Sequence, residues 1–480
     1  MDFIAQVIFL FLTTMQILGV IAAVHAIMNT RTPQGAIAWI FALIFLPVLA
    51  VPLYIVLGRT RFPGYIEARR ARAGNHKKVS ALTQSVLSNL SPHEEHIHHG
   101  RMELLSSLSS LVNLPLTSGN GAQILIDGEQ TFHALFKSIS AARHYLLVEF
   151  FIIKDDSLGD ELQKLLIEKA QQGVKVYLIF DEIGSRKLPQ KYLQAFRSEP
   201  NVSITPFGGK RKWFSNIIRL NFRNHRKIVI VDGQTAFIGG LNVGLEYMGK
   251  GVLGAWRDTF VKITGPSIQC IQLAFQEDWH WATEALLDLP CFPEAQEEDK
   301  SILIIPSGPA DVMETWRLSA IALINAAQTR FWVASPYFVP GEGILTALQM
   351  AALRGVDVRI LLPDKADHLL VYGSSFTYYP ETLPYGIKIY RYKKGFLHEK
   401  IMLIDDDLSV IGTANLDNRS MRLNFEINAL IYDTSTAKEI QDMLSRDFDS
   451  SYKATRGDFD KHSYLFHIGC RIARLMAPIQ

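Results

Sequence analysis

Apolar and polar positions divide the chain into stretches of different period. Phe3 to Met28 carries no Asp, Glu, Lys or Arg, and spanning a bilayer as a helix takes about 20 residues. Ala36 to Leu57 is a second such run, with Pro47 and Pro52 inside it. Asn29 to Gly35 between them is a short polar turn. The pair therefore predicts a transmembrane helical hairpin over residues 1–60. The first run has no basic leader and is followed at once by the second, which argues for uncleaved anchors over a signal peptide.

Residues 61–119 are mixed and polar, a linker with some helix. Beyond them, strand-like runs alternate with amphipathic ones. The first series reads as strand 122–126, helix 131–141, strand 145–153, helix 159–172 and strand 175–180, with Gly173 as a helix stop. A second series answers it: AQQGVKVYLIF is matched by ALRGVDVRILL, and LLVEFFI by FWVASPYFV. Strands alternating with helices predict α/β layers over a parallel or mixed sheet. We expect two similar domains, 120–293 and 301–455, joined by the acidic linker 294–300. The tail, 456–480, places Leu465, Phe466, Ile468, Ile472 and Leu475 beside Arg471 and Arg474. As a helix it suits a membrane surface or packing on the second domain.

The most informative stretch occurs twice. His225 to Asn242 reads HRKIVIVDGQTAFIGGLN, and His398 to Asn415 reads HEKIMLIDDDLSVIGTAN. Without a gap they match at His225/His398, Lys227/Lys400, Asp232/Asp405, Gly239/Gly412 and Asn242/Asn415. Each copy reads as a buried strand, a turn and a return strand. Strand periodicity puts the histidine and lysine of each copy on one face. An ammonium buried beside an imidazole is costly unless something pairs with it. A shared anion such as a phosphate would satisfy both, with the asparagine as a further donor. Asp232 and Asp405, at strand-ending turns, read as braces of the loop.

This doubled pattern, His-x-Lys, an Asp five residues on, then Gly-x-x-Asn, resembles the phospholipase D superfamily. Words elsewhere resemble one branch, the bacterial cardiolipin synthases: DGEQTFHAL (Asp127 to Leu135), WRD (Trp256 to Asp258), PYFVP (Pro336 to Pro340) and GTANLDNRSMRLNFEIN (Gly412 to Asn428). The resemblance covers nearly the whole chain. It implies two phospholipase D-like α/β sandwich domains in pseudo-twofold arrangement behind the membrane hairpin, both motifs meeting at the seam. The implied activity transfers a phosphatidyl group between two phosphatidylglycerol molecules, giving cardiolipin and glycerol through a phosphohistidine, with neither metal nor cofactor. His225 is then the nucleophile and His398 the acid/base, an order the residues alone leave open. Lys227, Lys400, Asn242 and Asn415 would hold the non-bridging oxygens. The resemblance further implies that Asp258 orients His398 and Glu426 orients His225. Hydrolysis to phosphatidic acid is the alternative activity, and a membrane-tethered nuclease a more distant one.

Charge adds topology. Basic and acidic residues nearly balance at a net +2, so no polyanion partner is expected, and the expected partners are membrane phospholipids. Arg59, Arg61, Arg69, Arg70, Arg72, Lys77 and Lys78 crowd the exit of the second run. The positive-inside rule then places the catalytic domains on the cytoplasmic side of a bacterial inner membrane, on a multi-pass anchor. Lys210 to Phe214, Arg219 and Arg223 form a basic, aromatic loop fit for acidic headgroups, a nucleic acid backbone or plain exposure, and membrane anchoring favours the headgroups over the nucleic acid. The run His93 to His99 reads as solvated linker histidines in preference to a metal site. Cys270, Cys291 and Cys470 show no metal or disulfide spacing. Tyr378 and Tyr379 are candidates for an acyl-chain path. A homo-oligomer is admitted by the sequence without being required.

Overall fold

The computed structural model describes residues 3–30, 32–58, 99–208 and 221–477. The basic cluster from Arg59 to Lys78, His93 to His98 and the loop Lys210 to Arg219 lie outside the described residues.

Phe3–Asn29 is one 27-residue helix whose most apolar 18-residue stretch has a mean hydropathy of 2.4. Among the described residues it alone is long and apolar enough to cross a membrane. The expected continuous second span is corrected: it is two helices, Pro33–Phe45 and Pro47–Leu57, broken at Leu46 (φ −133°, ψ 50°). Pro47 is the cause, since its ring disfavours helical geometry in the residue before it and it brings no N–H to continue the ladder. Ala23, Ala26, Leu43, Ala50, Val51 and Tyr54 form a small core among the three helices. There His25 Nδ1 lies 2.8 Å from the Tyr54 hydroxyl.

Most of the described strands build one long mixed sheet; Phe338–Val339 with Leu416–Asp417, and Trp256–Arg257 with Phe396–Leu397, form two short ladders apart from it. At its middle, Thr117–Ile126 and Lys300–Ser307 pair antiparallel, Thr117 opposite Ile302 and Asn120 opposite Lys300. Outward from the first of these come Thr259–Thr264, Thr235–Gly239, Ile228–Val231, Tyr145–Phe150, Lys175–Phe180 and Val202–Pro206. Outward from the second come Asn424–Tyr432, Leu408–Gly412, Ile401–Ile404, Arg330–Ala334, Asp357–Pro363 and Lys388–Tyr392. The inner pairs of each arm are antiparallel; Tyr145–Phe150, Lys175–Phe180 and Val202–Pro206 run parallel, as do Arg330–Ala334, Asp357–Pro363 and Lys388–Tyr392, the last edged by the antiparallel strand Ser451–Lys453. Helices cover both faces, so Ile228–Val231 and Ile401–Ile404 are buried at every position. That accounts for unbroken apolar runs where a half-exposed strand would alternate.

The helix expected within the linker lies at its end, and one other reading is corrected. That helix is His99–Val112, whose Leu105, Leu108 and Val112 enter the core at helical spacing. Tyr378 and Tyr379 line no acyl path; they are core residues, and the Tyr379 hydroxyl accepts from Arg391 Nε at 2.8 Å. The tail helix, Tyr464–Leu475, takes the packing role weighed for it. Its Phe466 ring packs 5.5 Å from Phe376, and Arg474 bonds Glu381 at 3.0 Å. Tyr464, Leu465, Ile472 and Leu475 stay exposed on the other side.

Candidate active site

Each motif copy enters a tight antiparallel hairpin. Asp232 and Asp405 take left-handed backbone (φ 53° and 52°) at the turn, a region aspartate tolerates better than most residues. The Asp232 carboxylate accepts from the N–H groups of Arg143, His144 and Tyr145, each at 2.8 Å. Asp405 accepts from Thr329 and Arg330 N–H at 2.7 and 3.0 Å and from Arg101 Nη2 at 2.6 Å. Burial pushes Asp405 up, but those donors outweigh it and hold the carboxyl below its ordinary range. Both aspartates sit at the far end of the hairpin from the histidines and tie the turn to a neighbouring strand. Gly239 and Gly412 end the return strands where another backbone passes close. A Cβ on either would collide with Thr259 O or Ile427 O.

At the near end, His225 and His398 line one cavity of about 780 Å³, and Asn242 and Asn415 line it too. Both histidines are almost fully buried. Each is stitched to the opposite arm: His225 N–H donates to Phe425 O at 2.9 Å, and His398 N–H to Arg257 O at 2.8 Å. Short parallel ladders flank these bonds, Arg223–Asn224 with Asn424–Phe425 and Trp256–Arg257 with Phe396–Leu397.

The carboxylates also cross between arms. Glu426 Oε2 lies 2.9 Å from His225 Nδ1, and Asp258 Oδ2 lies 2.6 Å from His398 Nδ1. With Nδ1 engaged in this way, Nε2 is the nitrogen left for chemistry. Glu426 also accepts from Thr413 Oγ1 (2.6 Å), Ser420 Oγ (2.9 Å) and Asn424 Nδ2 (3.1 Å). Burial alone would raise it; His225, Lys227 and Thr413 outweigh burial and hold it below the ordinary range. Asp258 has one backbone donor, Thr259 N–H at 2.8 Å, and burial pushes it up to about 6.

The lysines lie behind the histidines. Lys227 Nζ donates to His225 O at 2.6 Å, and Lys400 Nζ donates to His398 O. Burial draws Lys227 down to about 7, and Lys400 is lowered for the same reason. Burial lowers His225 to about 4, and burial together with the Lys400 ammonium pushes His398 well below its ordinary value. Asn242 is committed within the protein: Oδ1 accepts from Ile152 N–H at 3.1 Å and Nδ2 donates to the Tyr247 hydroxyl at 2.6 Å. Among the described residues Asn415 Oδ1, which is buried, has no hydrogen-bond partner.

Sequence reasoning left several lining residues without a role. Trp256 packs 5.2 Å from the His398 ring and Tyr247 5.8 Å from it. Phe151 stands 5.0 Å from the His225 ring. Arg419 and the pair Tyr337–Asp367, bonded at 2.5 Å, complete the wall. Trp256 and Arg419 stood inside the family words quoted above; Tyr247 and Asp367 had no periodic or motif signal.

Fold and comparisons together define a phosphatidyltransferase of the phospholipase D superfamily. A family model described as "Cardiolipin synthase, PLD-like domain" matches residues 135–279 and 320–448, and "Phospholipase D-nuclease N-terminal" matches residues 17–59. Cardiolipin synthase A of Pseudomonas aeruginosa (strain LESB58) is 44% identical over 474 residues, covering 98% of this chain and 96% of the relative. Cardiolipin synthase A of Pseudomonas putida (strain GB-1) is 45% identical over 470 residues, 96% of each. Among solved structures, phosphatidylserine synthase of Haemophilus influenzae Rd KW20 superposes with a TM-score of 0.60 at 14% identity, covering 79% of this chain and all of that one; that likeness concerns the fold. The chain belongs to the family of bacterial cardiolipin synthases.

Proposed function

We propose that the enzyme joins two phosphatidylglycerol molecules into cardiolipin and releases glycerol. In this reading His225 Nε2 attacks the donor phosphorus and expels glycerol, to which His398 gives a proton. His398 then takes the proton from the hydroxyl of the second lipid, whose oxygen attacks the phosphohistidine and frees His225. Glu426 and Asp258 hold the two imidazoles by Nδ1. An ammonium has three donors, so Lys227 and Lys400 can reach phosphate oxygens while remaining near the histidine carbonyls. The incoming phosphodiester anion, shared between the two ammonium groups, offsets part of their charge. It thereby raises both imidazoles, so His398 takes up its proton from solvent as substrate binds.

The observation that carries this reading is the presence of both motif histidines in one cavity, each against a carboxylate of the other arm. The matching strand order of the two arms supports two domains, 120–293 and 301–455, related by a pseudo-twofold axis, with 294–300 as their linker. The apolar N-terminus supports a multi-pass anchor in the inner membrane, with the catalytic domains on its cytoplasmic side. The exposed apolar face of Tyr464–Leu475 would rest on that surface. The test incubates the purified full chain with phosphatidylglycerol alone. Cardiolipin and glycerol in equal amounts are expected; phosphatidic acid as the main product, or no turnover, overturns the proposal.

A further inference from the structure

The two ends of the cavity are built from equivalent positions that carry opposite chemistry. Two residues before His225 stands Arg223, and two before His398 stands Phe396. Four residues after Asn415 stands Arg419, and four after Asn242 stands Glu246. In the flanking ladders Arg223 faces Asn424, whereas Phe396 faces Trp256. The His398 end is therefore aromatic, with Trp256 5.2 Å and Phe396 6.0 Å from the imidazole. Its one equivalent carboxylate, Glu246, is paired with Lys154 at 2.6 Å. The His225 end instead gathers two guanidiniums, one from each arm, on the cavity wall.

We infer that Arg223 and Arg419 form a second phosphate subsite, which takes the phosphodiester of the second anionic lipid. This rests on the proposed cardiolipin-forming reaction. That reaction brings two phosphates joined through a three-carbon glycerol into one cavity, yet the histidine–lysine centre handles only one. The guanidinium fork suits phosphate oxygens in pairs. Arg223 Nη1 donates to Phe222 O at 2.9 Å, and Arg419 Nη1 to Asn221 Oδ1 at 3.4 Å, so both forks are held by the segment that leads into the first motif. Burial, then the neighbouring Arg223, draws Arg419 down to about 10, and burial lowers Arg223. The acids near them, Asp181, Asp417 and Glu426, are themselves buried and hydrogen-bonded. An anion between two like charges in a desolvated wall favours both charged forms. With its phosphate there, the second lipid extends its distal hydroxyl across the cavity toward His398.

The test compares two reactions of one enzyme. Exchange of phosphatidylglycerol's headgroup with labelled free glycerol uses only the phosphate at the histidines; cardiolipin formation uses both. In Arg223→Gln and Arg419→Gln of the full chain, the ratio of cardiolipin formation to glycerol exchange should fall roughly tenfold or more, as losing a charge-assisted bond implies. The loss should reside in the KM for the accepting lipid. A ratio equal to wild type, whether both rates persist or fall together, overturns the subsite. Should a Gln variant fail to fold, Arg223→Lys and Arg419→Lys, which keep the charge and lose the fork, decide by the same ratio. Wild-type protein that exchanges glycerol but makes no cardiolipin would instead overturn the proposed function.

Discussion

Glu426 and Asp258 stand at equivalent places on the two arms, each against the motif histidine of the other arm, and differ in almost everything else. Glu426 has three side-chain donors besides His225 and stays below its ordinary range. Asp258 has one backbone N–H besides His398 and is pushed up to about 6. Burial is the same; hydrogen bonding to the charged form is not, and that decides the sign of the shift. A repeat that looks equal in sequence thus yields one imidazole beside a firmly ionised carboxylate and another beside a carboxylate on the edge of protonation. The first suits a group that carries positive charge through a covalent intermediate. The second suits a group through which protons pass.

The largest expected effect breaks that comparison outright. His225→Ala and His398→Ala should each lower cardiolipin formation by about 10³-fold or more. An activated phosphodiester with a p-nitrophenolate leaving group needs no proton donor. With it His398→Ala should still release one equivalent in a burst, and His225→Ala should release none. The reverse pattern would exchange the roles of the two histidines.

Next come the carboxylates. Glu426→Gln should cost roughly 10³-fold in kcat and Asp258→Asn roughly 10²-fold, because the firmly charged partner has more stabilisation to lose. Equal losses would show that the environments do not separate the two pairs. The pH profile sharpens the same point. Asp258 takes up a proton as pH falls through about 6, so kcat/KM should fall on that side. Lys227, drawn down to about 7 by burial, loses its charge as pH rises through that value, and kcat/KM should fall again. A bound phosphate favours the ammonium, so the alkaline limb should move to higher pH in kcat. An alkaline limb at the same pH in both parameters would remove Lys227 from phosphate binding.

The sequence made the histidines, lysines and strand order legible because a gapless repeat shows both period and polarity at once. The turn aspartates were legible for a related reason, since an acid at a strand-ending turn has ordinary work to do. The break at Leu46 was missed although Pro47 marked it, because uniform hydrophobicity hides a change of helix. The inequality of Glu426 and Asp258 was not legible, as it depends on Ser420 and Thr413 folding back onto one carboxylate from a short helix and a strand end. The polarity of the cavity likewise emerges only when Arg223 and Phe396 are seen at matching places in two ladders.

The residue after each shared glycine tests this at smaller scale. Gly240 touches Asp258 so closely that a Cβ there would overlap the carboxylate. Gly240→Ala should therefore push Asp258 off His398 and lower kcat about tenfold, an off-position partner costing on the order of 10–100-fold. KM should change little, since the residue lies behind the imidazole.

At the equivalent position Thr413 Oγ1 donates to Glu426 at 2.6 Å and accepts from Ile427 N–H at 2.9 Å. Thr413→Val keeps the shape and removes both bonds. Glu426 retains His225, Ser420 and Asn424, so its charge should survive and kcat should fall only about threefold. The orphaned Ile427 N–H should still cost stability, about 1–3 kcal/mol for a buried donor left unpaired, measurable in denaturant unfolding. A kcat loss as large as that of Gly240→Ala would mean that Glu426 depends on a single hydroxyl, and the contrast between a well-held carboxylate and a poorly held one would collapse.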